Sequence, residues 1–190
     1  YGLMVTQLFA KDKLSLSDVE GIIMSSVIPP LNYTLDHMCR YYFGIKPLVV
    51  GPGIKTSLNI KYDNPREVGA DRIVNSVAAY KLYGGPCIVI DFGTSTTFNV
   101  ISEDSEFLGG AICPGIKVSA DALFYHTAKL PRIELVRPEK FIGRSTVTNM
   151  QSGIINGMIG MVKYMTEKMK EETGFYNAKV IATGGMSELL

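Results

Sequence analysis

CIVIDFGTSTTFNVIS, residues 87–102, decides how the second half of this chain folds. The run begins with a continuous apolar stretch, which is typical of a strand buried on both faces, and then reaches Asp91. Gly93 and a series of hydroxyl residues follow, and β-branched and aromatic residues resume from Thr96. These residues do not favour a helix after the turn, so the pattern predicts a β-hairpin with a polar tip.

The same hairpin is a candidate phosphate site. Ligands of open α/β sheets bind at the carboxyl ends of strands, and Asp91 stands at such an end. Gly93 permits close backbone approach, and N–H groups in such a turn can bind an oxyanion. Asp91 could hold a cation beside the phosphate. The alternative is a tight turn with polar residues and no ligand. The sequence contains neither GxxxxGK[ST] nor a GxGxxG after a strand, which argues against a P-loop and a dinucleotide fingerprint.

Composition limits the classes of partner. The chain has 190 residues, of which 46% are hydrophobic, and a net charge of +1, so no general field attracts nucleic acid or an anionic membrane. Three cysteines, far apart in sequence, form no disulfide framework and favour a reducing compartment. No apolar run approaches the ~20 residues of a membrane span. We expect a cytoplasmic protein with no nucleic-acid or membrane partner.

The start at Tyr1 and the stop at Leu190 suggest that both ends of a longer protein are missing.

Strands and helices alternate along the chain, which predicts an α/β fold. Gly84-Gly85-Pro86 ends one helix and is the most plausible domain boundary. Besides the hairpin, strands are predicted at 19–27, 47–51, 107–115 and 178–185, and helices at about 66–83, 116–129 and 145–173. Helical spacing also predicts that the chain opens within a helix and that another helix begins at Pro29.

The segment NPREVGADRIVNSVAAY, residues 64–80, is a second candidate for chemistry. If one helix runs through it, Asp71 follows Glu67 by one turn, and like charges at this spacing cost about 0.2–0.5 kcal/mol. Gly69 adds up to ~1 kcal/mol within a helix. Such an arrangement is useful where a substrate must approach a carboxylate. The alternative is an ordinary charged surface face.

Four motifs, YDNPREVGADR, IDFGTSTTFNV, GGAICPGI and FIGRSTVTNMQSGIING, together resemble type III pantothenate kinase in order and spacing. That family lies in the acetate and sugar kinase, heat-shock chaperone and actin superfamily. The resemblance implies two ribonuclease H-like domains with nucleotide in the cleft between them. Residues 1–84 would form the first, incomplete at its N-terminus, and 85–190 the second, incomplete at its C-terminus. The family's initial Asp-x-Gly-Asn-Thr phosphate hairpin is missing from this chain.

The resemblance also implies an activity, the ATP-dependent phosphorylation of pantothenate to 4'-phosphopantothenate at the start of coenzyme A biosynthesis. Asp71 would be the general base, Asp91 would hold potassium or ammonium, and Thr94 would contact ATP phosphate, with magnesium accompanying ATP. The implied pantothenate contacts are Tyr62, Gly69, Ala70, Asp71, Arg72 and Thr146. Chemistry agrees, because phosphoryl transfer needs a group that accepts the hydroxyl proton, and the fork of an arginine suits a substrate carboxylate.

The last long helix predicts how subunits assemble. Gly153, Gly157 and Gly160 in the last long helix suggest a partner packed close to its backbone, and family members are homodimers. The alternative is a helix packed only in its own subunit.

Two other functions are candidates. One is a non-catalytic nucleotide-binding regulator, such as a transcription accessory factor, and the other is a kinase for another small hydroxyl or carboxylate substrate.

Overall fold

The computed structural model describes residues 1–51 and 53–190, and its mixed helices and strands confirm the α/β prediction. Contacts divide the chain into two compact units. The first contains Tyr1–Thr56 and Asn64–Val74, and the second contains Ser57–Asp63 and Asn75–Leu190. This division falls inside a helix, not at Gly84, so the assignment of domains to 1–84 and 85–190 stays a prediction.

The first unit contains a two-stranded parallel sheet whose strands are connected through a helix. Pro29 stands at the start of that helix, where its missing N–H costs nothing, and Gly44 ends the helix in the left-handed conformation. The first helix packs on it, with the rings of Phe9 and Phe43 5.7 Å apart. The elements are α1 (Gly2–Lys11), β1 (Ile23–Ser25), α2 (Pro29–Phe43) and β2 (Leu48–Val50).

The second unit is built on a five-stranded mixed sheet. Its strands are β3 (Asn59–Ile60), β4 (Cys87–Phe92), β5 (Ser95–Ile101), β6 (Glu106–Pro114) and β7 (Lys179–Thr183), and its helices include α4 (Ile116–Tyr125) and α5 (Thr146–Thr173). The order is β3-β6-β5-β4-β7. β4, β5 and β6 form an antiparallel meander, whereas β7 is parallel to β4. The predicted hairpin is therefore confirmed.

Two apolar clusters cover the two faces of this sheet, as alternation along the strands requires. Ile88, Ile90 and Phe98 lie on the face that packs with Ile155 of α5. On the other face, Val89 packs with Ala79 of a helix that we call α3 (Ala70–Tyr83). Cys87 lies on this second face, and burial raises the pKa of its thiol, so it packs as a neutral group.

Several predicted boundaries were wrong. The first strand covers only Ile23–Ser25, and the helix expected to reach residue 129 ends at Tyr125. The helix expected from residue 66 is a 3₁₀ turn, Pro65–Glu67, followed by α3 from Ala70. β3 lies in a segment for which neither a strand nor a helix was predicted. Within the described residues, no helix combines the length and apolar character that a membrane span needs.

Candidate active site

The turn between β4 and β5 is two residues long and is fixed by two backbone hydrogen bonds, one within the turn and one from Gly115. The amide of Gly93 donates to the carbonyl oxygen of Ser95 at 3.1 Å, and the amide of Gly115 donates to that of Thr94, also at 3.1 Å. A Cβ on Gly115 would lie 2.3 Å from the Thr94 oxygen, so only glycine lets the start of α4 approach this closely. Thr94 remains exposed at the tip, where its hydroxyl is accessible to a ligand.

Asp91 lies at the end of β4 and has defined neighbours on both carboxylate oxygens. The side-chain amide of Asn75, in α3, donates to Asp91 Oδ2 at 2.9 Å. A Cβ on Gly184, just after β7, would lie 2.5 Å from Asp91 Oδ1. Thr97 and Thr183 are its register partners on β5 and β7, so their side chains share its face of the sheet. The hairpin acid is thus surrounded by polar groups.

Asp71 belongs to the start of α3, and its setting differs from the expected one. Glu67 lies in the 3₁₀ turn and accepts a hydrogen bond from Asn64, so the predicted like-charge pair within one helix was wrong. Gly69 precedes the helix, and its carbonyl accepts the first helical hydrogen bond, from Ile73. The supposed helix cost of this glycine therefore does not arise.

The carboxylate of Asp71 instead folds back over the helix start. Asp71 Oδ1 accepts from the amide of Arg72 at 2.8 Å, and a Cβ on Gly69 would lie 2.5 Å from the same oxygen. A negative charge at this end of a helix is favoured by the exposed N–H groups and the macrodipole. Arg72 is buried, with 6% of its surface exposed. Gly69, Ala70, Asp71 and Arg72 are consecutive and form one local cluster.

Tyr62 and Thr146 lie on separate elements. Tyr62 follows β3 and stacks at a tilt on Phe107 of β6, with ring centroids 6.2 Å apart and Gly109 beside its ring. Thr146 is the first residue of α5 and is exposed. A capping box between Ser145 and Thr148 fixes that helix start, because each side chain bonds the other's backbone amide.

Most of the chain matches the model of a known protein family. The family model described as type III pantothenate kinase matches residues 1–168, which is most of the chain. The chain belongs to the type III pantothenate kinase family. This confirms the resemblance that the four motifs suggested, and it makes kinase chemistry with ATP the expectation for the site.

A solved structure supports the fold of this family member. The crystal structure of a conserved protein from Campylobacter jejuni, described as a Baf family transcriptional activator, matches with a TM-score of 0.57. The match covers 90% of this chain and 71% of that one, at 20% sequence identity. At this identity the likeness concerns the fold alone.

The residues around Asp91 fit a monovalent cation. Potassium and ammonium take oxygen ligands, and the carboxylate of Asp91 lies in a register row with the hydroxyl residues Thr97 and Thr183. Among residues 1–51 and 53–190, no group of three or more His, Cys, Asp or Glu side chains gathers in a metal-binding arrangement.

Sequence reasoning missed Asn75, Thr183 and Gly184 as neighbours of Asp91. Thr183 and Gly184 carried a usable signal, because they lie near the end of a strand that was predicted to finish in a Gly-Gly pair. Asn75 carried a weaker one, since it is a polar residue within the mostly apolar run IVNSVAA. Neither pattern specifies which carboxylate the residue would contact.

Proposed function

We propose that this protein transfers the γ-phosphoryl group of ATP to pantothenate and produces 4'-phosphopantothenate, the first step of coenzyme A biosynthesis. Membership of the family supports a kinase. The observation that carries the proposal is the Asp91-Phe92-Gly93-Thr94 hairpin, which presents a carboxylate and an exposed hydroxyl at the carboxyl end of β4. That is where open α/β sheets bind ligands. We place the protein in the cytoplasm, where ATP is available.

In the proposed reaction, Asp71 is the general base. It accepts the proton of the primary hydroxyl of pantothenate while that oxygen bonds to the γ-phosphorus, and the bond from phosphorus to the bridging oxygen of ADP breaks. Asp71 Oδ1 is held by the amide of Arg72 at 2.8 Å, which leaves Oδ2 to take the proton. Fixing one oxygen in this way reduces the reorientation that proton transfer would require.

The remaining residues bind and neutralise charge. Thr94 contacts ATP phosphate, and Asp91 holds a potassium or ammonium ion, whose charge offsets that of the phosphates; magnesium accompanies ATP. Arg72 pairs with the pantothenate carboxylate through its planar fork. Tyr62, Gly69, Ala70 and Thr146 complete the substrate contacts.

We also propose two ribonuclease H-like domains, residues 1–84 and 85–190, for the architecture that carries this site. The order β6-β5-β4-β7, a meander followed by a parallel strand, supports the second of them.

The homodimer is a further part of the proposal, and α5 supports it. Gly153, Gly157 and Gly160 are exposed, and a Cβ on any of them would meet nothing within 4 Å. Gly153 and Gly157 line an open cavity of about 580 Å³ beside α4 and α5. Met158 of the same helix is buried in the core of its own unit. The glycine side, not the methionine side, is therefore the proposed contact.

Exchanging Asp71 for Asn tests the chemistry. Asp71→Asn keeps the shape of the side chain and removes the base, so kcat should fall about 10²–10⁴-fold while the KM for pantothenate changes little. Asp104→Asn, at the exposed β5–β6 turn, is the matched control and should keep full activity. Steady-state ADP release with pantothenate and with a panel of other small hydroxyl compounds is measured in parallel.

Two results would contradict this function. If Asp71→Asn keeps kcat within about threefold, the base lies elsewhere. If the wild-type protein binds an ATP analogue but releases no ADP with any acceptor, the second candidate is favoured. That candidate is a nucleotide-binding regulator, and its motivation is the Campylobacter jejuni protein of similar fold that is described as a transcriptional activator.

A bulky residue on α5 tests the dimer. Gly157→Leu adds a side chain where the chain itself has open space, so the subunit should fold normally while the dimer dissociates at least about tenfold more readily. Sedimentation over a concentration series measures this. Gly21→Leu, at another open position outside α5, is the control. A wild-type protein that is monomeric and fully active would exclude the dimer.

A further inference from the structure

The face of the sheet that α3 covers changes character along β4. Cys87 and Val89 belong to an apolar cluster with Ala79 of α3. The register partner of Val89 on β5 is the buried Asn99. Two residues further along β4, Asp91 lies in register with Thr97 and Thr183. Because side chains alternate between faces, this row lies on the same face as the apolar cluster. Polar side chains therefore occupy the end of this face at which β4 finishes.

Asn75 connects α3 to that polar row. Its side-chain amide donates to Asp91 Oδ2 at 2.9 Å, while Asp91 Oδ1 lies where a Cβ on Gly184 would be only 2.5 Å away. A terminal carboxylate torsion is broad and roughly two-fold, so an unrestrained Asp distributes its oxygens over many orientations. The Asn75 hydrogen bond restricts this rotation and directs Oδ1 toward the end of β7.

The identity of the donor is informative. A lysine or arginine at position 75 would orient Asp91 equally well, but its charge would compete with any cation for the carboxylate. The amide of asparagine is neutral, so it orients the carboxylate without adding a positive charge beside it. The same side chain also carries a carbonyl oxygen, which is a ligand type that hard cations accept.

We propose that Asn75 is a positioning residue, which fixes the Asp91 carboxylate in the orientation that binds the monovalent cation. This inference rests on the proposed role of Asp91 in the kinase. The competing explanation is a hydrogen bond that merely ties α3 to the sheet. Tyr80 of α3 makes a purely structural bond of this kind to the β5–β6 turn, since its hydroxyl donates to the carbonyl of Glu103 at 2.8 Å.

The experiment compares Asn75→Leu with the control Tyr80→Phe. Leucine keeps the approximate shape of asparagine but cannot donate a hydrogen bond, and phenylalanine removes only the hydroxyl of Tyr80. The complete protein, without substrates, is melted in mixtures of potassium and sodium chloride at constant ionic strength. The potassium concentration that gives half of the rise in Tm reports cation binding. The potassium concentration for half-maximal activity and the KM for pantothenate are measured on the same proteins.

We expect Asn75→Leu to raise both half-saturating potassium concentrations about tenfold, as loss of a hydrogen bond to a charged group implies, with the KM for pantothenate unchanged. Tyr80→Phe should lower Tm by a few degrees, the usual effect of a ~1 kcal/mol loss, and leave both potassium concentrations as in the wild type. If Asn75→Leu does not fold, Asn75→Ala is measured with the same expected shift.

The outcomes separate the inference from the function on which it rests. A wild-type protein that responds equally to sodium and potassium would overturn the cation role of Asp91 and the Asn75 inference together. A potassium response that Asn75→Leu retains at wild-type concentrations would overturn the Asn75 inference alone. So would an equal shift in Tyr80→Phe, because the effect would then come from the packing of α3 and not from Asp91.

Discussion

Glycines in two regions of the second unit have opposite surroundings. Near the hairpin, Gly110 and Gly184 are crowded: a Cβ would lie 1.7 Å from the Phe98 carbonyl oxygen and 2.5 Å from Asp91 Oδ1, respectively. On α5, Gly153, Gly157 and Gly160 are open, since a Cβ would meet nothing within 4 Å. We call these two sets the crowded glycines and the open glycines.

The difference shows that the same residue type serves two purposes. Every glycine costs backbone entropy on folding, and inside a helix it costs about 1 kcal/mol relative to alanine. The crowded glycines offset this cost within the subunit, because no other residue lets these backbones approach. The open glycines gain nothing within the subunit. A reason outside the subunit, such as the proposed dimer, would account for them.

The largest effect is expected for a crowded glycine in the sheet. Gly110→Ala places a methyl group 1.7 Å from a backbone oxygen of β5, at a pair (Asn99 with Gly110) in the centre of the ladder. Backbone cannot yield as a flexible side chain can, so the free energy of unfolding should fall by about 4 kcal/mol or more. Urea denaturation measures it, with Gly21→Ala at an open position as the control.

A Gly110→Ala protein within about 1 kcal/mol of the wild type would contradict the strand pairing itself. The crowded glycines would then have no structural explanation, and the first half of the comparison would fail.

A smaller loss is expected at Gly184. This residue has φ of +93°, and its Cβ would lie 2.5 Å from Asp91 Oδ1 and 2.6 Å from the amide nitrogen of Phe92. Alanine is strained at positive φ and also crowds β4, so Gly184→Ala should lower the free energy of unfolding by about 2–3 kcal/mol. Gly185→Ala is the control, because the neighbouring position is open. Equal losses in both variants would indicate a general effect of the turn and not crowding at Asp91.

Much of the second unit could be predicted from its sequence because the signals there are local. The apolar run before Asp91, the turn at Gly93 and the resumed β pattern define a hairpin within residues 87–102. The long helix carries its own start and stop signals, the Ser145 cap and the left-handed Gly174. These features depend on neighbours a few residues away.

What the sequence could not supply depends on distant residues. β3 has only two residues and exists because it pairs with β6, more than 40 residues later. The start of α3 depends on the local turn at Pro65–Glu67, which a helical period alone does not reveal. The Asn75–Asp91 hydrogen bond joins a helix to a strand, and no spacing rule predicts it. The site residues proposed from the family stay predictions until their variants are measured.

The smallest effect has the opposite sign and tests the open glycines. Gly157→Ala adds a methyl group in open space within α5, where alanine is the better helix former. The free energy of unfolding of the isolated subunit should therefore rise by about 0.5–1 kcal/mol. Gly174→Ala on the same helix is the control: this residue ends α5 at φ of +73°, so alanine there should destabilise by about 1 kcal/mol. Denaturation at several protein concentrations separates the subunit from the dimer, since dimer stability depends on concentration. If Gly157→Ala stabilises dilute protein but loses this advantage as the concentration rises, a close partner at α5 is supported. If it destabilises the protein equally at every concentration, the glycine side packs against its own chain and the distinction between the crowded and the open glycines is wrong.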